Sequence, residues 1–166
     1  MKPIIFVISF LTPILCQLFP GVYYFQPVDF PNSELTISSE NTSTNHLDFI
    51  TTDLIFLSGI SSLSRWIIKS ETAQTQSIPK YFIQNYKTKQ YLSSSGQNVT
   101  LSIDTPFAWV ISGSGPNFQV ICKIGEGGEY YCITVEQKGL LSSDLNMKLE
   151  RLDQGIDQFW TAHKLT

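Results

Sequence analysis

Residues 79–112 constrain the fold more than any other stretch, because they alternate short apolar runs with turn-forming residues. In one run Val99, Leu101 and Ile103 alternate with polar residues, which is typical of a half-buried β-strand. Runs this short, separated by Gly, Pro, Asn and Ser, predict an antiparallel all-β fold. The four predicted strands are 81–83, 90–93, 99–103 and 107–111.

The three tryptophans indicate an internal repeat. Trp66, Trp109 and Trp160 are separated by 43 and 51 residues. Each lies in a segment that we predict to be the last strand of a unit, and an aromatic or apolar first strand precedes it. The predicted last strands are 65–69, 108–112 and 159–163, and the first strands are 22–25, 81–84 and 118–121.

Three units of four strands resemble the β-trefoil, a six-stranded barrel capped by three hairpins. The resemblance covers the chain from about residue 21 to residue 165, with repeats at about 21–70, 79–113 and 117–165. It implies pseudo-threefold symmetry with the three tryptophans at equivalent core positions. The alternative is a β-sandwich in which they are ordinary core residues. The second strand of the third repeat is either 130–135 or the region around Leu140, and the sequence leaves this open.

The first 16 residues resemble a secretory signal peptide. Lys2 precedes an apolar segment that is too short to span a membrane, and we predict cleavage after Cys16. Residues 17–166 then form one secreted domain with no membrane span. The alternative is a buried N-terminal strand.

Two cysteines remain after this cleavage, Cys122 and Cys132. They flank a glycine-rich turn at 125–128, which predicts a disulfide between the facing strands of a hairpin. A redox or metal pair is the poorer alternative, because neither His46 nor His163 has ligand spacing to them. We therefore predict no metal and no cofactor.

Charge and motif content argue against nucleic-acid binding and catalysis. Without Lys2 the chain has 14 acidic and 10 basic residues and no basic run, which excludes a typical nucleic-acid surface. No known catalytic motif is present, so we predict a non-catalytic binding protein. Asn41 and Asn98 begin Asn-x-Thr/Ser triplets and are predicted glycosylation sites.

Two trefoil families suggest different functions. The ricin-type lectins carry Gln-x-Trp near the end of each repeat and bind sugar with an Asp, an aromatic platform and an amide. Only Gln158-Phe159-Trp160 matches this motif, since Ser64 and Phe107 stand where the other repeats would need Gln. The fungal serine-protease inhibitors share a similar layout with the segments 21–24, 35–36, 109–111 and 159–160.

In the inhibitor family, a loop between the second and third strands of the first repeat enters the protease cleft. Here that loop is 39–46, with Asn41 and Asn45 as candidates, but it holds no Lys or Arg. Lys87 and Lys89, in the first turn of the middle repeat, are the basic candidates, although this turn also fits a solvated hairpin tip. We favour a monomeric inhibitor of an extracellular serine protease, and a glycan-binding lectin is the alternative.

Overall fold

The structure, a computed structural model, describes residues 18–37, 47–51, 62–71, 78–113, 115–139 and 145–165. The regular secondary structure of these residues consists of strands and one 3-10 helix at Ile156–Gln158, so the all-β prediction is confirmed. The strands are β1 Gly21–Pro27, β2 Ser33–Ile37, β3 Leu47–Thr51, β4 Trp66–Ser70, β5 Tyr81–Asn85, β6 Tyr91–Ser95, β7 Asn98–Ser102, β8 Ala108–Gly113, β9 Gln119–Ile124, β10 Tyr130–Gln137, β11 Leu145–Arg151 and β12 Trp160–Lys164.

Six of these strands close into an antiparallel ring. Around the ring the order is β1, β4, β5, β8, β9 and β12, and β12 pairs with β1 to complete it. The other strands form the antiparallel hairpins β2–β3, β6–β7 and β10–β11. Backbone pairing joins the second and third hairpins to the ring strands, whereas β2–β3 is a separate two-stranded sheet.

The register of the ring strands places the core residues in layers. Each tryptophan lies opposite a buried residue of a neighbouring strand, and the pairs are Trp66 with Tyr23, Trp109 with Tyr81 and Trp160 with Gln119. A second layer consists of apolar pairs on adjacent ring strands. These pairs are Phe25 with Ala162, Ile68 with Ile83, and Ile111 with Ile121.

The three tryptophans also make the same hydrogen bond. Each indole Nε1 donates to a main-chain carbonyl in the first strand of one hairpin, and all three side chains are fully buried. The acceptors are Leu35 at 3.1 Å for Trp66, Leu92 at 2.9 Å for Trp109 and Ile133 at 3.2 Å for Trp160. Each hairpin is therefore tied to the ring by one buried indole.

The hairpin β9–β10 contains the predicted disulfide. Cys122 and Cys132 are directly opposed in the ladder, and their sulfurs are bonded. Of the two segments between which the sequence left the choice open, 130–135 lies within β10, Tyr130–Gln137, and Leu140 lies outside the described residues. The predicted signal peptide, 1–16, lies outside the described residues, and no described helix is long and apolar enough to cross a membrane.

Candidate functional site

The single Gln-x-Trp match has a supporting role in the fold. Gln158 is buried, and its Oε1 accepts hydrogen bonds from the backbone N–H groups of Asp153 and Gln154 at 3.1 and 3.3 Å. Its Nε2 donates to the Arg151 carbonyl at 3.0 Å and to the Thr134 hydroxyl at 3.4 Å. Because both ends of the amide are occupied, Gln158 fixes the loop before β12 and is not available to a ligand.

That loop presents two carboxylates around one glycine. The backbone N–H of Gly155 donates to Asp153 Oδ1 at 2.8 Å, and a Cβ at position 155 would come within 2.4 Å of Asp157 Oδ1. A side chain at position 155 would therefore require the Asp157 carboxylate to move. Within the described part of the chain, no group of three or more His, Cys, Asp or Glu side chains could hold a metal ion.

A pocket of about 280 Å³ lies between the β6–β7 turn and the hairpin β9–β10. This volume is near the lower end of the ~300–1,000 Å³ range of small-ligand sites. Its lining residues are Gln97, Lys123, Gly125, Glu126, Tyr131 and Leu149.

Two contacts hold the walls of this pocket together, and both cross between hairpins. Lys123 Nζ donates to the Gly96 carbonyl at 2.6 Å, which joins β9 to the β6–β7 turn. The Leu149 N–H donates to the Gln97 carbonyl at 2.7 Å, which joins β11 to the same turn. The pocket is therefore assembled from segments that are distant in the sequence.

The disulfide lies directly beneath two lining residues. Lys123 and Tyr131 face each other across the β9–β10 ladder, and the next pair along is Cys122 with Cys132. At the turn, a Cβ on Gly125 would lie 2.7 Å from the Tyr131 ring. The absence of a side chain at Gly125 therefore leaves room for this ring to pack against the backbone. The cross-link and the glycine together fix the aromatic wall of the pocket.

The lining offers the groups that small polar ligands require. Tyr131 is a half-buried aromatic ring, buried Leu149 supplies apolar surface, and Gln97 and Glu126 are exposed hydrogen-bonding groups. Binding sites typically combine such an apolar surface with a few convergent polar groups. No sequence pattern predicted this pocket, and its turn, 125–128, was predicted only as a hairpin turn. The glycines at 125, 127 and 128, with Glu126 between the first two, were the available signal.

The basic inhibitor candidates lie on a well-supported turn. Asn85 Oδ1 accepts the backbone N–H groups of Lys87 and Thr88, each at 3.0 Å, and its Nδ2 donates to the Leu63 carbonyl at 2.7 Å. Lys89 folds back onto the turn, with Nζ 2.6 Å from the Tyr86 carbonyl and 4.9 Å from the centre of its ring. Lys87 is exposed. Asn41 and Asn45 lie outside the described residues.

Of the two glycosylation candidates, only Asn98 can be placed, since Asn41 is not described. Asn98 is exposed at the start of β7 and is paired with Lys148 of β11. Paired residues in an antiparallel ladder share a face, and adjacent residues in a strand face opposite ways. Asn98 therefore lies on the Lys148 face, and Leu149, which lines the pocket, is on the other.

Sequence comparison places the chain in no described family. No family model matches it, and no curated protein matches it. Comparison of structures does find relatives of its fold.

The Rhizoctonia solani agglutinin matches this chain with a TM-score of 0.66 and 15% sequence identity. The match covers 89% of this chain and 97% of the agglutinin. The Macrolepiota procera ricin B-like lectin in complex with lactose has a TM-score of 0.62 and 14% identity, covering 89% of this chain and 99% of its own. This chain has the fold of the ricin B-like lectins. At such identities the likeness establishes the fold alone.

The fold is shared more widely. The Polyporus squamosus lectin bound to a human-type influenza-binding epitope matches with a TM-score of 0.63 and 16% identity. The match covers 90% of this chain and 50% of that one, so this chain spans about half the length of that lectin. A mosquitocidal holotoxin and cytolethal distending toxins match as well.

Proposed function

We propose that this chain is a carbohydrate-binding protein that holds one sugar residue in the pocket between the β6–β7 turn and the hairpin β9–β10. The observation that carries the proposal is the lining itself. It combines the Tyr131 ring with the amide of Gln97, the carboxylate of Glu126 and the ammonium of Lys123. An aromatic face suits the C–H face of a sugar, and amide and carboxylate groups can bond adjacent hydroxyls.

We further infer that the twelve strands are three four-stranded repeats of a β-trefoil. The support is the ring of β1, β4, β5, β8, β9 and β12 together with the indole hydrogen bond that recurs three times. In this arrangement the pocket lies between the second and third repeats. The ligand would contact groups that no single repeat contains.

We also propose that the protein is secreted and has no catalytic role. An oxidising compartment fits the Cys122–Cys132 disulfide, which would not persist in a reducing cytosol. Binding without chemistry fits a sequence in which no known catalytic motif is found. The proposed partner of the secreted protein is a glycan, and no protease is required.

Glycan-array binding of the purified protein, followed by titration with the best ligand, tests the proposed site. Gln97→Ala and Glu126→Gln are each expected to weaken binding about tenfold, because the first removes a hydrogen-bonding amide and the second replaces a charged acceptor by a weaker neutral one, each worth ~1–3 kcal/mol. Asn117→Ala and Asp104→Asn make the same kinds of change at exposed turn residues that do not line the pocket. These controls should bind like the parent protein.

Protease inhibition is the second candidate, and the turn that Asn85 supports is the observation in its favour. A stiff exposed loop can enter a cleft at low ordering cost. If it does, Lys87→Glu abolishes inhibition of a trypsin-like enzyme. We expect no inhibition by the parent protein and unchanged glycan binding by Lys87→Glu. Inhibition without any glycan binding would overturn the proposed function.

A further inference from the structure

Glu34, on strand β2, is a fully buried carboxylate without a partner. Its exposed fraction is 0%, and neither carboxylate oxygen makes a hydrogen bond. The Ser64 hydroxyl is close enough to lower the pKa in part, but it is also buried without a hydrogen bond of normal geometry. Buried carboxylates in folded proteins are normally paired, so Glu34 is an exception that calls for an explanation.

The groups around Glu34 do not supply a compensating positive charge. Tyr24, on the neighbouring strand β1, interacts with it electrostatically and stacks on His163 of β12, with the ring centres 4.4 Å apart. Burial lowers the pKa of His163, so the imidazole is neutral near pH 7. Arg65 follows Ser64 in the chain and has contacts of its own, and no cation is among the groups that shift the pKa of Glu34. Burial raises the pKa of Glu34 to about 7.

Glu34 also lies in the hairpin that is least connected to the ring. The hairpins β6–β7 and β10–β11 belong to the ten-stranded sheet, whereas β2–β3 shares no ladder with it among the described residues. The main connections of β2 are the Trp66 indole bond to the Leu35 carbonyl and the Ile37 N–H bond to the Leu63 carbonyl. The second bond is long, at 3.3 Å. Among the described residues, few backbone hydrogen bonds therefore hold β2 to the ring, and the buried side chains of Leu35 and Ile37 supply the rest of its attachment.

We propose that the hairpin β2–β3 is a pH-sensitive element, held on the ring while Glu34 is protonated and loosened when Glu34 ionises. Ionisation creates a charge in a buried position where, among the described residues, only the Ser64 hydroxyl partly stabilises it. Opening the hairpin returns the carboxylate to water. Opening of the hairpin requires no ligand, so this proposal can be tested independently of the proposed sugar binding.

The direction of the pH effect follows from the proton balance. With the hairpin closed, the pKa of Glu34 is about 7, so the carboxyl group stays protonated up to about that pH. In the open form the carboxyl group has its ordinary pKa of 4.5 and loses its proton near that pH. Between these values the closed form binds more protons, so its stability is full below about pH 4.5 and falls as the pH rises. Between pH 4.5 and 8.5 the opening equilibrium is expected to rise on the order of a hundredfold.

Hydrogen exchange followed by mass spectrometry measures this opening directly in the full chain. Protection factors, corrected for the intrinsic pH dependence of exchange, are compared between peptides covering β2 and β3 and peptides covering β6 and β7. Protection of the first hairpin should fall on the order of a hundredfold from pH 4.5 to 8.5, and that of β6–β7 should not follow it. Equal changes in the two hairpins, or none, would overturn the proposal.

Glu34→Gln separates this charge effect from other titrations, because an amide mimics the protonated acid. In this variant the first hairpin should stay protected at pH 8.5, and Glu71→Gln, the same change outside the hairpin, should behave like the parent protein. The opposing contribution of His163, whose lowered pKa reduces stability at acid pH, is the same in all three proteins and cancels. A loss of protection in Glu34→Gln as large as in the parent would rule out Glu34 as the sensor.

Discussion

At the scale of single residues, the buried tryptophans have the most consistent surroundings. Each indole is enclosed and bonded to one carbonyl of a hairpin strand, although the residue opposite it is Tyr23, Tyr81 or Gln119. Gln119 is smaller than tyrosine, and its Oε1 is buried without a hydrogen bond. The ring therefore tolerates variation opposite the indole more readily than loss of the indole.

Replacing Trp109 tests what the indole contributes. Trp109→Ala should lower the free energy of unfolding by about 3–5 kcal/mol because it leaves a large cavity. Trp109→Phe keeps most of the ring but leaves the Leu92 carbonyl without its donor, so a loss of about 1–3 kcal/mol is expected. Urea unfolding at constant m-value measures both changes. A Phe variant within about 0.5 kcal/mol of the parent would show that the bond does not matter.

Gly113, at the end of β8, is required for a different reason. A Cβ there would lie 1.8 Å from the Phe118 carbonyl oxygen, which belongs to the backbone and cannot rotate away. Gly113→Ala should therefore cost about 3 kcal/mol or more, at the upper end of overpacking effects. Thermal unfolding reports the loss. Gly139→Ala is the matched control, since nothing lies within 4 Å of its added methyl, and a similar loss there would contradict the steric explanation.

At the scale of elements, the hairpin β9–β10 combines a structural role with a predicted binding role. Its disulfide was predictable because the cysteines flank a glycine-rich turn with a spacing that brings them opposite each other. The pocket beside it was not predictable. Lys123 and Gly96 are 27 residues apart, and no local pattern indicates that they meet.

Reduction of the disulfide should weaken the fold without abolishing it. A cross-link that spans 10 residues contributes roughly 2–3 kcal/mol by the loop-entropy estimate, and the ring of strands does not depend on it. Urea unfolding with and without reductant measures the difference, and a double Cys122→Ala, Cys132→Ala variant should not respond to reductant. Rapid alkylation of both thiols in protein never exposed to reductant would contradict the disulfide.

At the scale of the whole molecule, the sequence predicted the fold class better than the function. Alternation in residues such as Val99 and Leu101 directly reflects strand burial, and most strand ends were predicted to within one or two residues. The inhibitor interpretation rested on short segments such as 21–24 and 109–111, which are core strands. Core residues are shared by proteins with one fold and different partners, so they could not distinguish a lectin from an inhibitor.

The closed ring has a consequence for how the chain folds. The last described strand, β12, is inserted between β1 and β9, so the ring is complete only when segments about 140 residues apart have met, as in Tyr23 opposite Lys164. Contacts this distant in sequence raise the contact order, and chains with high contact order fold in milliseconds to seconds. On the ribosome the barrel would close only after synthesis of β12. Until then β1, and the start of β9 that β10 does not pair, each keep an unpaired edge that a chaperone, or another nascent chain, could bind.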